Sequence, residues 1–231
     1  MSHLFTPSIV ALPIVGRSET FPARRVYCVG RNYAAHAREF GNDDREPPFF
    51  FLKPTDALQP VPMGALARHP YPQGTTNYHF EIELVAALHR GGRDIPVTGA
   101  LDHVFGYAVG LDMTRRDLQR QFADQKKPWT LGKCADHSAP IGPIHPASVV
   151  GHPVDGFIRL AVDGTMKQDA RLSAMTWSVA EQIAHLSRFF ELMPGDLIFS
   201  GTPEGVGPVV PGNVMEGAVE GLGAIRLEVV A

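Results

Sequence analysis

The sequence predicts a mainly β protein of the α+β class, a sandwich or rolled sheet carrying a few short helices. Three observations predict it. Short β-prone runs recur from Arg25 to the C-terminus, whereas helical spacing is confined to a few brief stretches. The 23 glycines and 20 prolines are spread along 231 residues, which sets turns between short strands and argues against a disordered tract. With 44% hydrophobic and 19% charged residues, a chain of this length buries a core without a disulfide scaffold. One domain over residues 1–231 is expected, with residues 1–70 as the candidate for a small N-terminal lobe.

The elements follow in order. Residues 1–22 hold Pro7, Pro13 and Pro22 among apolar residues and read as extended chain on a sheet edge. Arg25-Val26-Tyr27-Cys28-Val29 is a strand that stops at Gly30. The alanine-rich run 32–40 opens on Asn32 and is closed by Gly41, the start and stop signals of a short helix. Residues 42–48 read as a loop and 49–54 as a buried strand. Residues 78–89 alternate, with Phe80, Ile82 and Leu84 on one side and Glu81 and Glu83 on the other. Residues 104–111 form another strand that runs into a helix start at Asp112. Further on, β-prone runs lie at 156–162, 196–200 and 224–230. Residues 177–192 space Val179, Ile183, Leu186 and Phe190 as a helix does.

A net charge of −3 and the lack of any Lys/Arg run argue against a nucleic-acid partner, which would demand a basic surface. Cys28 and Cys134 form no CxxC and read as reduced thiols. No segment approaches the ~18 continuous apolar residues of a membrane span, and residues 1–5 lack the features of a secretion signal. A cytoplasmic protein is therefore expected.

Glu81 and Glu83 lie at i and i+2 of a strand and so share a face. Two adjacent anions repel, and a divalent cation between them removes that cost; a solvated polar face is the plain alternative. Asp112 follows a strongly apolar strand, where a side chain projects from a sheet end, although it also suits a helix N-cap. Three carboxylates without Cys favour a hard ion, Mg²⁺, Mn²⁺ or Ca²⁺, over structural zinc. His36 and Glu39, at i and i+3 of the expected helix, can touch, and a carboxylate beside an imidazole raises its basicity as a general base requires. An exposed pair without a role has the same spacing. Lys133 follows the apolar approach Trp129-Thr130-Leu131-Gly132, so it could meet a substrate carboxylate or an oxyanion, or simply lie at the surface. The run Ser200-Gly201-Thr202-Pro203-Glu204-Gly205-Val206-Gly207-Pro208 is a tight turn able to aim N–H groups at an anion, without the spacing of a nucleotide loop.

Taken together these pieces resemble the fumarylacetoacetate hydrolase family. The matching segments span almost the whole chain: Val29-Gly30-Arg31-Asn32-Tyr33 with His36 and Glu39, Phe51-Leu52-Lys53-Pro54, His79-Phe80-Glu81-Ile82-Glu83-Leu84, residues 110–117, 129–133 and 200–208. The resemblance implies that family's mixed β-roll, sandwich-like and assembled as a homodimer. It implies Mg²⁺ or Mn²⁺, one per chain, on Glu81, Glu83 and Asp112. His36 and Glu39 would activate water, Lys133 would be a catalytic lysine, and Lys53, Arg116, Gln119 and Thr202 would line the substrate pocket. Relatives often carry an aromatic residue where this chain has Ala135. The implied reaction is hydrolysis of a C–C bond in a 2,4-diketo acid, best matched by fumarylpyruvate giving fumarate and pyruvate. Oxaloacetate decarboxylation, general acylpyruvase action, isomerisation of a related keto acid, and a non-catalytic metal-binding role are the alternatives.

Overall fold

Alternation along the central strands determines the layering. In the computed structural model, which describes residues 4–6, 8–33 and 46–231, the central sheet runs β4 (Phe49–Lys53), β3 (Val26–Gly30), β15 (Leu197–Phe199), β8 (Ile82–Leu88), β9 (Val104–Leu111), β11 (Ala139–Ile141), β5 (Leu58–Pro60), with β12 (His145–Pro146) also pairing β9. Tyr27, Val29, Leu84, Ala86, Tyr107, Val109 and Ile198 point into one apolar layer. Their neighbours Val26, Cys28, Val85, Ala87, Ala108, Leu197 and Phe199 point into the other. Both faces of these strands are thus covered, which is why they read as near-continuous apolar runs.

The larger layer is closed by a five-stranded sheet ordered β14 (Thr165–Arg171), β13 (Phe157–Val162), β17 (Val214–Val219), β18 (Gly223–Val230), β6 (Leu66–Pro70). Ile158, Leu160, Met215, Ile225 and Leu227 supply its inner face. The smaller layer lies under a hairpin of β1 (Ala11–Pro13) and β2 (Thr20–Pro22), which delivers Leu12 and Phe21. A short ribbon, β10 (Thr114–Arg115), β7 (Tyr78–Phe80), β16 (Gly207–Val209), completes the architecture. The expected mainly β, α+β roll with short helices is the fold observed.

Differences from the expected elements have local causes. The run at 78–89 is two strands, β7 and β8, that break at Glu81. Phe80 to Leu84 are buried without exception, so no polar face meets solvent there. Asp112 does not cap a helix: α1 (Arg116–Asp124) begins after β10, and Arg115 is the residue before it. The helix expected over 177–192 is α4 (Val179–Ser187), started by a capping box in which Ser178 accepts from the Glu181 amide and Glu181 reaches back. The short helices α2 (Thr130–Lys133) and α3 (Ala147–Val150) had no sequence signal. Strand β14 is polar and exposed along most of its length and owes its form to pairing with β13. The expected helix over 32–40, apart from Asn32 and Tyr33, lies outside the described residues; Tyr33 pairs with Met175 as an isolated bridge.

Candidate metal centre and active site

The antiparallel register of β8 and β9 brings the acidic residues together. Glu83 stands opposite Gly110 and Ile82 opposite Leu111. One step further, the Asp112 amide donates to the Glu81 carbonyl at 2.8 Å, so the two residues are cross-strand neighbours past the strand ends. Parity then places Glu81, Glu83 and Asp112 on the face that holds Val85 and Phe199. Gly110 leaves room beside Glu83, since a Cβ there would come within 2.7 Å of Val85 Cγ2 and Phe199 Cε1. All three carboxylates are buried, and one ligand oxygen from each lies within 4.8 Å of the others. Among the described residues this is the group of His, Cys, Asp or Glu side chains poised to share an ion.

Cationic groups answer this charge. Lys133 Nζ donates to Glu81 Oε2 at 2.8 Å, Asp112 Oδ2 at 2.7 Å and Thr114 Oγ1 at 2.8 Å. Arg116 Nη2 is paired with Glu81 Oε1, and its Nη1 donates to Gln119 Oε1 at 3.1 Å. Lys53 Nζ lies 2.9 Å from Asp112 Oδ1. Burial, with the neighbouring charges of Asp112 and Glu81, pushes the Glu83 carboxyl well above the usual carboxylate range. Burial disfavours the charged form of Lys133, but Asp112 and Glu81 outweigh it and hold the ammonium above its ordinary pKa. An all-oxygen set of three clustered carboxylates fits a hard divalent ion, which would relieve the crowding on Glu83.

The trio opens into a cleft lined on its other sides by Val29, Arg31, Phe49, Phe51, Trp129 and Thr202, with about 50 Å³ of free space. That space admits an ion together with a few waters. Phe49 and Trp129 meet edge to face at 5.4 Å, and the Arg31 guanidinium lies 5.5 Å from the Phe49 ring centre. Arg31 holds a left-handed backbone with φ of 57°, an unusual conformation for a residue with a side chain.

Of the residues singled out in sequence, Glu81, Glu83, Asp112, Lys133, Arg116, Gln119 and Thr202 converge on this cleft. Lys53, which the resemblance implies for the substrate pocket, lies against Asp112, with Nζ 2.9 Å from Oδ1. It is buried and donates to Met113 O at 3.1 Å, Ser138 Oγ at 3.0 Å and Lys133 O. His36 and Glu39 lie outside the described residues. Residues to which the sequence assigned no site role also shape the site. Buried Gln168 accepts from the Ile82 amide at 3.0 Å and donates to Thr202 Oγ1 at 2.9 Å, tying the Gly-rich turn to the strand between the two glutamates. Thr114 holds Lys133, and Asn32 and Gly201 stand behind Glu83. A buried glutamine in a polar strand is compatible with many partners, so nothing local marked Gln168, whereas Asn32, Thr114 and Gly201 stand in the segments that carry the resemblance but had no role assigned to them.

Known proteins resemble this chain in sequence and in overall shape. The model of the fumarylacetoacetate (FAA) hydrolase C-terminal family matches residues 25–230. The crystal structure of fumarylpyruvate hydrolase from Pseudomonas aeruginosa, in complex with Mn²⁺ and pyruvate, superposes with a TM-score of 0.97 at 59% identity, covering 99% of each chain. Oxaloacetate tautomerase FAHD2 (mitochondrial) of Oryza sativa subsp. japonica is 40% identical over 89% of this chain and 90% of its own length. The mitochondrial oxaloacetate decarboxylase of Dictyostelium discoideum is 39% identical over 86% and 90% respectively. With the family model spanning most of the chain and the carboxylate trio in place, this protein belongs to the fumarylacetoacetate hydrolase family.

Proposed function

We propose that the protein is a metal-dependent hydrolase that cleaves fumarylpyruvate to fumarate and pyruvate. The observation that carries this reading is the buried trio beside Lys133 and Arg116 in a chain so similar to a fumarylpyruvate hydrolase. Glu81, Glu83 and Asp112 would hold one Mg²⁺ or Mn²⁺ per chain. When bound, that ion supplies Lewis acidity toward the carboxylate and keto oxygens of the pyruvyl end.

The protein's own groups do the rest. Arg116 and Gln119 take the substrate carboxylate, and Thr202 borders the pocket. Lys133, kept protonated by its acidic neighbours, stabilises negative charge as it develops on the attacked carbonyl. His36, oriented by Glu39, removes a proton from water, and the hydroxide adds at C4. The C3–C4 bond then breaks, and its electron pair leaves with the pyruvyl fragment, which takes up a proton to become pyruvate. Support for this pair is its spacing in the sequence and the family resemblance. The flat fumaryl arm would lie along Phe49, Phe51 and Trp129, with its distal carboxylate toward Arg31.

A second reading, oxaloacetate decarboxylation or tautomerisation in the same pocket, draws support from the relatives so named. The enol absorbance of fumarylpyruvate, acetylpyruvate and oxaloacetate separates them when followed with Mg²⁺ or Mn²⁺ and then a chelator. Chelator-sensitive loss of fumarylpyruvate is expected, and consumption of oxaloacetate alone would overturn the hydrolase reading.

We also read the chain as a single catalytic domain, since β3, β4, β5 and β6 sit within the two large sheets. A homodimer would cover edge strand β4, on which Leu52 is 46% exposed. A cytoplasmic setting suits the unpaired Cys28 and Cys134, and no described helix is long and apolar enough to cross a membrane.

A further inference from the structure

We propose that Asn32 is a positioning residue for the metal centre, acting on Glu83 through the single peptide group that joins Ser200 to Gly201. The inference rests on the metal reading above. Asn32 is fully buried where β3 ends. Its Nδ2 donates to the Ser200 carbonyl at 2.7 Å and to the Trp177 carbonyl at 2.8 Å, while its Oδ1 accepts from the Trp177 amide at 2.7 Å. Its own carbonyl accepts from the Thr176 amide at 2.8 Å. Both side-chain hydrogens are thus engaged, and the amide plane is locked at three points.

The Ser200 carbonyl that Asn32 grips belongs to the same peptide group as the Gly201 N–H. That N–H donates to Glu83 Oε2 at 2.8 Å. A trans peptide is a rigid plane with its oxygen and hydrogen on opposite edges. Fixing the oxygen therefore fixes the direction of the N–H, and through it the plane of the Glu83 carboxylate. Donation to the carbonyl also polarises the group and strengthens the N–H as a donor. The path from Asn32 to a proposed metal ligand is two hydrogen bonds joined by one planar unit.

The packing supports the same relay. Gly201 holds φ of +96°, and a Cβ built there would stand 2.5 Å from Asn32 Cβ. The turn can approach Asn32 this closely because residue 201 has no side chain. Gln182 Nε2 reaches the same Ser200 oxygen at 3.4 Å, a longer and weaker contact than the 2.7 Å bond from Asn32. Outer contacts of this kind set metal affinity because they fix the ligand before the ion arrives.

The test uses the full-length protein, with Mn²⁺ titrated by electron paramagnetic resonance into wild type, Asn32→Ala and Asn32→Ser, and thermal unfolding followed in chelator. Asn32→Ala is expected to raise the Mn²⁺ dissociation constant at least ~10-fold and to change the line shape of the bound ion. Asn32→Ser, which keeps one hydrogen-bonding group, should fall between and serves if the alanine variant does not fold. A purely structural tie would lower the unfolding temperature yet leave affinity and line shape alone. Folded variants with a dissociation constant within about twofold of wild type would therefore overturn the positioning role. A wild-type protein that binds no Mn²⁺ would instead overturn the metal reading itself.

Discussion

Replacing Lys53 with methionine gives a direct measure of what stands behind the metal centre. The ammonium is buried, 2.9 Å from Asp112 Oδ1, and donates to Met113 O, Ser138 Oγ and Lys133 O. Methionine fills a similar volume but donates nothing, so a carboxylate oxygen and two carbonyls lose their partner in the dry interior. Breaking a buried ion pair from one side costs about 3–5 kcal/mol. Against a total stability of about 5–15 kcal/mol, Lys53→Met should fold at low temperature but melt early. At 2–4 °C per kcal/mol for a chain of this size, the unfolding temperature should drop by roughly 6–20 °C. The assay is chemical denaturation at 15 °C together with a thermal scan in chelator. Because Lys53 stands off the cleft, the KM of the surviving folded enzyme should change little. A stability loss under about 1 kcal/mol combined with a raised KM would refute the reasoning and return Lys53 to the substrate side.

Asp112→Asn should abolish activity with loss of the ion, whereas His36→Ala should keep the ion and stop hydrolysis; metal content and turnover measured together decide both. Arg31→Met should lower kcat/KM for fumarylpyruvate about 10- to 100-fold while sparing acetylpyruvate, which has no distal carboxylate to lose. An equal fall on both would remove Arg31 from specificity. His69 gives a pH test of stability. Burial, with the charges of His137 and Lys53, lowers its pKa from 6.5 to about 4. The unfolded chain takes up this proton before the folded one does. The stabilisation is therefore whole above pH 6.5 and is lost as pH falls toward 4, reaching about 2.5 kcal/mol of loss at pH 4.5. His69→Gln should flatten that part of the stability profile, as denaturant melts at pH 7 and pH 4.5 would record.

The carboxylate trio was legible in the chain because its geometry is mostly local. Strand-like alternation over 78–89 marks Glu81 and Glu83 as neighbours on one face, even though the strand proper starts only at Ile82, and an apolar strand announces its own end just before Asp112. The strands that run through the core are buried on both faces, so their sequences are apolar enough to show. What the tertiary structure decided depends on contacts between residues far apart. Strand β14 is a strand because β13 lies beside it, and its own residues are polar. Asn32 before an alanine run looks like a helix start, yet its side chain reaches Trp177 and Ser200, 145 and 168 residues away. Lys53 and Lys133 are chemically alike in sequence, and only packing sends one to Asp112, Met113 and Ser138 and the other to Glu81, Asp112 and Thr114 in the cleft wall. Backbone periodicity fixes which way a side chain leaves its strand, and that can be read from neighbours. Which distant oxygen it then meets is set by how the sheets close on one another.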